Sequence, residues 1–195
     1  MADPVRVVAI PGALRAAANN RKLLALAVRE AEKHGAQVEV LDLKTLALPI
    51  YDQDIEDLGL PEAVVRAKDA IHRAQGVIIS TPEYNAGVPA GLKNAIDWVS
   101  RPGHIPNPWK DKVLLIMSAT AGPGGGRGVQ PHLRHSLGIL GAWELPASLM
   151  VPNSEEAFDE KGELKDPRAR ARLAQLVPLF VAWARQGVPR VEAPK

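Results

Sequence analysis

The chain of 195 residues is 46% hydrophobic and 24% charged, a globular composition that allows one well-buried domain spanning residues 1–195. It contains no cysteine, which excludes disulfides, thiolate nucleophiles, Fe–S clusters and Cys-ligated zinc. Its net charge of only +2 argues against nucleic acid as a partner.

The apolar runs are too short to cross a membrane. The longest cover residues 5–10, 76–80 and 113–119, whereas a crossing helix needs roughly 20 apolar residues. The N-terminal residues also lack the basic and apolar regions of a secretory signal. We therefore expect no membrane partner and a cytoplasmic location.

Strand and helix patterns alternate along the chain. Short apolar runs rich in β-branched residues predict five strands, at 5–10, 38–43, 77–80, 113–118 and 147–151. Apolar residues spaced by three or four predict five helices, at 20–34, 61–75, 92–99, 129–140 and 166–186. Segment 46–60 predicts a long loop with at most a short helical turn, and residues 188–195 are expected to fray.

This alternation is typical of an α/β sandwich of three layers around a parallel sheet. In the flavodoxin-like strand order 2-1-3-4-5, ligands bind beyond the carboxyl ends of the strands, where the order reverses. Three loops then meet at that edge: the first loop (11–20), the second loop (81–88) and the third loop (119–128). They are also the loops richest in Gly, Pro and Asn, so the sequence predicts a ligand site there.

The first loop joins a strand to a helix N-terminus, where unpaired N–H groups and the helix dipole favour a phosphate. Arg15 can add a charge-assisted contact, and Asn19 or Asn20 can cap the helix or donate to an oxygen. An ordinary turn between strand and helix, with a solvated arginine, would explain these residues equally well. The loop contains a single glycine, Gly12, so it matches neither the GxGxxG motif nor the Walker motif. This mismatch argues against classical NAD binding and against NTP hydrolysis.

The second loop is more distinctive. Pro82 and Pro89 stiffen a run in which Glu83, Tyr84 and Asn85 follow a buried strand directly. The backbone N–H groups of such a run can donate to the edge of a flat heteroaromatic ring, and Tyr84 can stack on that ring or flank it. The alternative is a turn with a tyrosine at its rim.

The third loop has the most flexible composition in the chain. Its glycines, Gly122 among them, permit close approach to a ligand, and Ser118 and Thr120 offer hydroxyls. His132 and His135 lie three residues apart on one helix, but no carboxylate lies one turn away, so we expect no metal site. Since no catalytic triad, carboxylate pair or HExxH motif is present, the residues favour an enzyme whose cofactor carries the reaction.

At this point the motifs resemble those of the NADPH-dependent FMN reductases, a flavodoxin-like group that includes quinone, chromate and azo-dye reductases. The most specific stretch, residues 81–102, is TPEYNAGVPAGLKNAIDWVSRP. Supporting stretches are LPIYDQD at residues 48–54 and the His-Leu-Arg sequence at 132–134, downstream of the glycine-rich loop. The similarity extends over residues 5–186.

The resemblance implies noncovalent FMN, with its phosphate on the first loop, its isoalloxazine ring against the second loop, and its ribityl chain and ring near the third. The implied cofactor contacts are Gly12, Ala13, Leu14, Arg15, Ala18, Asn20, Pro82, Glu83, Tyr84, Asn85, Ser118, Ala119, Thr120 and Gly122. No metal and no catalytic side chain are implied, since hydride passes from NADPH or NADH to flavin N5. Two electrons then pass to a small acceptor: a quinone, an azo compound, chromate or free flavin. Family members are homodimers or homotetramers.

The first loop departs from the family pattern G-S-x-R-x-x-S-x-N, because Ala13 and Ala18 replace the serines that bind phosphate. Two lost charge-assisted hydrogen bonds, roughly 1.5–3 kcal/mol each, predict FMN binding weaker by one to a few powers of ten. The alternatives are a flavodoxin-type electron carrier, which the near-neutral charge opposes, and a non-enzymatic module with impaired FMN binding. Arg15, Arg101 and Arg127 are candidates for a 2′-phosphate, and the sequence selects none of them. The acceptor, the choice between NADPH and NADH, and the subunit number stay open.

Overall fold

A parallel sheet organises the part of the chain that the computed structural model describes, residues 3–188. Its six strands are β1 (Val5–Pro11), β2 (Ala36–Val40), β3 (Gly76–Thr81), β4 (Val113–Ala119), β5 (Trp143–Glu144) and β6 (Leu149–Val151). The order is β2-β1-β3-β4-β5, with β6 also paired to β4. The predicted flavodoxin-like order is confirmed. Apart from Val188, the segment predicted to fray lies outside the described residues.

Helices cover both faces of the sheet. Within residues 3–188 they are α1 (Asn19–Lys33), α2 (Leu43–Leu46), α3 (Gln53–Asp57), α4 (Glu62–Arg73), α5 (Ala90–Ser100), α6 (Val129–Ile139) and α7 (Pro167–Gln186). Apolar side chains of α1 and α7 pack on one face, and those of α4, α5 and α6 pack on the other. The prediction of three layers is therefore confirmed. None of these helices has the length and apolar character that a membrane crossing requires.

Two short helices follow β2, and an aspartate starts each of them. Asp42 accepts a hydrogen bond from the N–H of Lys44, and Asp52 accepts one from the N–H of Asp54. The prediction that the second strand continues to residue 43 is wrong, because the cap at Asp42 turns the chain into α2. The short helical turn allowed in segment 46–60 is α3.

The fifth position of the sheet is divided between two strands. β5 pairs with the start of β4, and β6 pairs with its end. Pro146 lies between them and has no N–H to donate to β4. The single strand predicted over 147–151 is therefore correct only for its last residues, and β5 is too short to give a periodic signal.

The register of the strands brings the three loops to one edge. Pro11 at the end of β1 lies opposite Ser80, and Thr81 at the end of β3 lies opposite Ser118. The first, second and third loops therefore leave the sheet side by side, as the strand order required.

We predict that Gly76→Ala lowers the free energy of unfolding by about 1–3 kcal/mol, because it overpacks the contact between β3 and α7. A Cβ atom at Gly76 would lie 2.6 Å from Cζ of Phe180. The control is Gly138→Ala in α6, where an added Cβ meets nothing within 4 Å. The control should be up to about 1 kcal/mol more stable than the unsubstituted protein. Urea unfolding measures both, and a Gly76→Ala protein of full stability would contradict the packing argument.

Candidate functional site

The first loop is held tightly against the start of the second. Gly12 donates its N–H to the carbonyl of Ser80 at 2.8 Å. A Cβ at Gly12 would lie 2.5 Å from Oγ1 of Thr81, so no larger residue fits without displacing β3. Ala13 follows and is buried. The backbone of the first loop is thus fixed where it leaves the sheet.

Free backbone donors follow this contact. The N–H groups of residues 13–17 donate no hydrogen bond within residues 3–188. They directly precede α1, whose first turn contains no acidic residue. The N-cap is Ala18, which has no side-chain oxygen, so of the two roles expected for Asn19 or Asn20, capping the helix is wrong. Unpaired N–H groups at the positive end of a helix, with Arg15 exposed beside them, form a donor set suited to an anion.

Asn20 joins three elements of the functional edge. Its side chain is 3% exposed, and its Nδ2 donates to the carbonyl of Ala119 at 2.7 Å. Its Oδ1 accepts from the N–H of Ala119 at 2.9 Å and from the hydroxyl of Ser80 at 3.2 Å. Asn20 was predicted to contact the cofactor, but its amide is directed into the protein. It therefore positions α1 against the ends of β3 and β4.

A bidentate ion pair supports the first loop from its other side. Arg21 Nη1 lies 2.8 Å from Asp42 Oδ2, and Nη2 lies 2.7 Å from Oδ1. Arg21 Nε also donates to the carbonyl of Arg15 at 3.2 Å. The Arg21 guanidinium, with the N–H of Lys44, holds the pKa of Asp42 below its ordinary value. Sequence reasoning missed this pair, since only the return of β2 beside α1 brings the two residues together.

The second loop contains a strained tight turn. Tyr84 and Gly87 exchange backbone hydrogen bonds of 3.2 and 2.9 Å. The two residues between them, Asn85 and Ala86, have φ of 51° and 59°, as in a type I′ turn. Asparagine tolerates this conformation, whereas alanine is strained by about 1–2 kcal/mol. The turn leaves the Tyr84 side chain 57% exposed, so its ring is available for stacking.

Glu83 ties the second loop to the third. Its Oε2 accepts hydrogen bonds from the N–H groups of Gly128 at 2.6 Å and Val129 at 2.8 Å. A carboxylate at the N-terminus of α6 is stabilised by these donors and by the helix dipole. Glu83 was predicted to face a ring, but its side chain is used within the protein. Its backbone N–H donates no hydrogen bond within residues 3–188 and remains available to a ligand.

Ser118 is closed off beneath the third loop. It is fully buried, and its hydroxyl donates to the carbonyl of Gly125 at 2.5 Å and accepts from Nε2 of Gln130 at 2.8 Å. Gly126 lies directly above with φ +103°, and a Cβ there would approach the Ser118 Cβ to 2.5 Å. The expectation that the Ser118 hydroxyl is open to a ligand is therefore wrong.

The segment after β6 completes the edge. Ser154 donates its N–H to the carbonyl of Thr120 at 2.9 Å, and its Oγ accepts from Asn19 Nδ2 at 3.2 Å. Thr120 also donates its N–H to the carbonyl of Val151 at 3.0 Å. The residues before Gly122 are thereby fixed between α1 and β6.

The structure brings all the predicted contact residues to one edge but exposes only some of them. The exposed ones are Leu14, Arg15, Tyr84, Asn85 and Gly122; the half-buried ones are Pro82, Glu83 and Thr120; the buried ones are Gly12, Ala13, Ala18, Asn20, Ser118 and Ala119. The side chains of the buried residues are therefore closed to a ligand. The contacts with FMN therefore stay a prediction.

Comparison with known proteins decides the family. The family model described as NADPH-dependent FMN reductase matches residues 5–156. The chain belongs to this family. Membership confirms the resemblance found in the motifs and the expectation of an oxidoreductase that uses FMN and NAD(P)H.

Relatives match this FMN reductase chain over nearly its whole length. An NAD(P)H-dependent FMN reductase of Pseudomonas aeruginosa is 35% identical over 95% of this chain and 98% of its own. A quinone reductase of Pseudomonas putida is 33% identical over 95% of this chain and 97% of its own. Among solved structures, the flavoenzyme NAD(P)H:(acceptor) oxidoreductase FerB of Paracoccus denitrificans superposes with a TM-score of 0.79 at 30% identity. That match covers 94% of this chain and 100% of the other.

We predict that Asp42→Asn lowers the free energy of unfolding by about 0.5–1 kcal/mol near neutral pH, since the pair it breaks is partly exposed. Asparagine retains an oxygen to cap α2 and removes only the charge. Because the pKa of Asp42 is lowered in the folded state, the pair stabilises the protein above the unfolded-state pKa. That contribution is lost as the pH falls through the lowered folded-state pKa.

Urea unfolding at successively lower pH tests the predicted pH dependence of the Asp42→Asn effect. The stability difference between the variant and the unsubstituted protein should shrink toward zero in acid. A difference that stays constant with pH would show that the charge of Asp42 contributes nothing.

We also predict that Glu83→Gln weakens the start of α6 by about 1 kcal/mol, because the capping charge is lost. The amide hydrogens of Gly128 and Val129 should then exchange faster with solvent, as hydrogen exchange will measure. The matched control is Glu62→Gln, an acidic residue of the first turn of α4 whose ion pair with Arg66 is largely exposed. Its effect on α4 should be smaller, and equal effects would contradict a specific cap.

Proposed function

We propose that this single-domain protein passes two electrons from NAD(P)H through bound FMN to a small acceptor. One observation carries the proposal: the free N–H groups of residues 13–17 precede α1 at the edge where the three loops converge. This donor set fits the phosphate of FMN, and the missing serine hydroxyls leave those backbone donors in place. Bound FMN supplies a ring that accepts a hydride and passes on two electrons.

The chain's own part is to bind and orient. Backbone N–H groups of the first loop and Arg15 hold the phosphate, and the N–H groups of Glu83 and Asn85, which donate no hydrogen bond within residues 3–188, provide donors along the edge of the ring. The side chains of Glu83 and Asn20 keep these donors in place through hydrogen bonds within the protein. The exposed ring of Tyr84 flanks the flavin. Because no side chain has to supply a nucleophile, pre-organisation of the backbone is the main demand on the fold.

We propose a flat, reducible molecule as the acceptor, with quinones foremost and azo compounds, chromate and free flavin as further candidates. The named relatives support quinones, since they include the quinone reductase of Pseudomonas putida and an NADPH:quinone oxidoreductase of Arabidopsis thaliana that is 36% identical to this chain.

We further propose that the protein works as a homodimer or homotetramer in the cytoplasm, as the family resemblance implies. Two apolar side chains, Ile50 at 85% exposure and Leu58 at 91%, support association. Ile50 lies in a segment that is hydrogen-bonded to α5: Asn94 accepts from the N–H of Tyr51 at 2.8 Å, and Trp98 donates to the carbonyl of Pro49 at 2.8 Å.

A flavin titration followed by oxidation of NADPH in the presence of benzoquinone tests the function. The protein should quench FMN fluorescence on binding and oxidise NADPH steadily while the quinone is reduced. An electron carrier would bind FMN without oxidising NADPH by itself. A module without the cofactor would show neither signal at saturating FMN, and either of these results would overturn the proposal.

Restoring the serine at the helix start should tighten FMN binding. Ala18 has the extended N-cap geometry, φ −71° and ψ 138°, in which a serine hydroxyl can accept from the first turn or donate to a phosphate. We predict that Ala18→Ser tightens FMN by about tenfold, the effect of one hydrogen bond, and stabilises the free protein by about 1 kcal/mol.

The control is Ala174→Ser, an exposed alanine of α7 that should leave FMN affinity unchanged. Fluorescence titration measures the affinity, and thermal unfolding without flavin measures the cap separately. If Ala18→Ser and Ala13→Ser both leave FMN affinity unchanged, the phosphate does not lie on the first loop.

A further inference from the structure

The strand β2 forms an open edge of the sheet. It is hydrogen-bonded to β1 on one side, and within residues 3–188 no strand pairs with its other side. The opposite edge is protected, because Pro146 divides it into β5 with two residues and β6 with three. In contrast, β2 has five residues, Ala-Gln-Val-Glu-Val, and its register with β1 contains no bulge, proline or lysine. An edge of this kind can pair with another strand.

Alternate residues of β2 direct their backbone groups away from the sheet. Ala9 of β1 lies opposite Val40, but its carbonyl accepts from the N–H of Leu41 at 2.9 Å. In a parallel ladder each residue bonds to the two neighbours of the residue opposite it, so Val40 is not bonded to β1. The same parity leaves the N–H and C=O groups of Ala36 and Val38 free of β1. The outward backbone groups are therefore spaced evenly about Val38.

This spacing makes the edge complementary to itself. In an antiparallel pair of two β2 strands centred on Val38, the two Val38 residues exchange both backbone hydrogen bonds, and Ala36 lies opposite Val40 of the second copy. The side chains of Ala36 and Val38 pack on the face of the sheet that α1 and α7 cover. Val40 points to the same face and is 53% exposed. Pairing would bury this exposed valine against the second copy.

The other face of the same edge contains unpaired charges of both signs. A groove of about 450 Å³ lies there between β2 and α4, and its lining includes Arg6, Gln37, Glu39 and Arg73. The three charged residues are exposed, and none of them forms an ion pair in the part of the chain that the structure describes. Two guanidinium groups and one carboxylate are therefore available to a partner.

Pairing centred on Val38 also brings opposite charges together. It places Glu39 opposite Gln37 of the second copy, so the two carboxylates do not face each other. Arg6 lies in register with Gln37 of its own chain. It is therefore two strand spacings, about 10 Å, from Glu39 of the second copy, a distance that the two long side chains span together. The charges of the groove thus favour a second copy of this chain as the partner.

We propose that β2 pairs antiparallel with β2 of a second copy, centred on Val38, so that one sheet continues through both copies. The strands of the two copies then run in opposite directions, which puts the two candidate FMN sites at opposite ends of the pair and leaves both open. The inference names a surface for the self-association proposed above and rests on that part of the proposed function. It does not depend on electron transfer.

Hydrogen exchange of the unsubstituted protein, followed by NMR, tests the pairing. The amides of Val38 and Val40 should exchange at least tenfold more slowly in a concentrated sample than in one diluted until sedimentation shows monomers, because only pairing gives them acceptors. The amides of Gln37 and Glu39, which bond to β1, are internal controls and should change less than twofold. A protein that stays monomeric, or a dimer in which the amides of Val38 and Val40 remain unprotected, would overturn the proposal.

The absence of cysteine from the chain allows a test of the register. Val38→Cys places two thiols side by side at the two-fold axis. The Cα atoms of a hydrogen-bonded antiparallel pair are about 5.5 Å apart, which is within the range for a disulfide. Oxidation should cross-link this variant at least tenfold faster than Glu39→Cys, whose thiol faces Gln37 of the second copy, although residue 39 is the more exposed. Equal rates would contradict a pair centred on Val38.

Charge reversal tests the contacts in the groove. Glu39→Lys should raise the dimer dissociation constant about tenfold in sedimentation equilibrium, because it adds a third positive charge beside Arg6 and Arg73. The double variant Arg6→Glu/Glu39→Lys should return the constant to within threefold of the original value. The matched control is Glu160→Lys, an exposed glutamate between β6 and α7 that should leave the constant unchanged. If Glu39→Lys associates as tightly as the control, the charges do not pair across the interface.

Association and activity can fail separately in these experiments. A protein that oxidises NADPH but stays monomeric would overturn this inference and leave the proposed electron transfer intact. A protein that pairs through β2 but does not bind FMN would support this inference and contradict only the proposed electron transfer.

Discussion

The buried side chain of Asn20 is the interaction on which the functional edge depends. It makes hydrogen bonds to both backbone groups of Ala119 and accepts one from Ser80, so α1 is fixed to the ends of two neighbouring strands. Removing it would leave several buried polar groups without partners, which costs more than the bonds themselves contribute. Because Gly12 lies against Thr81 at the same level, the first loop can leave the sheet in only one way. The three loops are therefore held together by contacts within the protein.

Side chains and backbone have different tasks at this edge. Asn20, Glu83 and Ser118 are all polar residues at this edge, yet each uses its side chain to hold another part of the chain. The groups left for a ligand are mainly N–H donors and exposed rings or guanidinium groups. A rigid array of backbone donors suits a cofactor whose own ring system carries the reaction, because such a cofactor needs placement more than chemical assistance.

Patterns that repeat along the chain predicted the fold and the place of the site. The buried strands and amphipathic helices each contain enough residues to show a period, and parallel topology puts the loops rich in glycine and proline on one edge. The short elements β5 and α2 were missed, because each has too few residues to show a period. Asp42, which caps α2, is the one local signal that could have indicated that helix. The hydrogen-bond partners of individual side chains could not be predicted from the sequence. Glu83 and Gly128, for example, come together only in the folded structure.

The N-terminus of α1, which has no side-chain cap, has a consequence for the stability of the whole folded chain. With alanine at the N-cap, the first turn of this helix lacks the acceptor that a serine would have provided. An anion that binds there acts as the missing cap, so part of its binding energy is also folding energy. On the phosphate placement proposed above, free FMN would stabilise the folded chain by mass action, and the temperature of unfolding would rise with the FMN concentration. Because the serine hydroxyls are absent, the cofactor that binds at the start of α1 would also complete the cap of that helix.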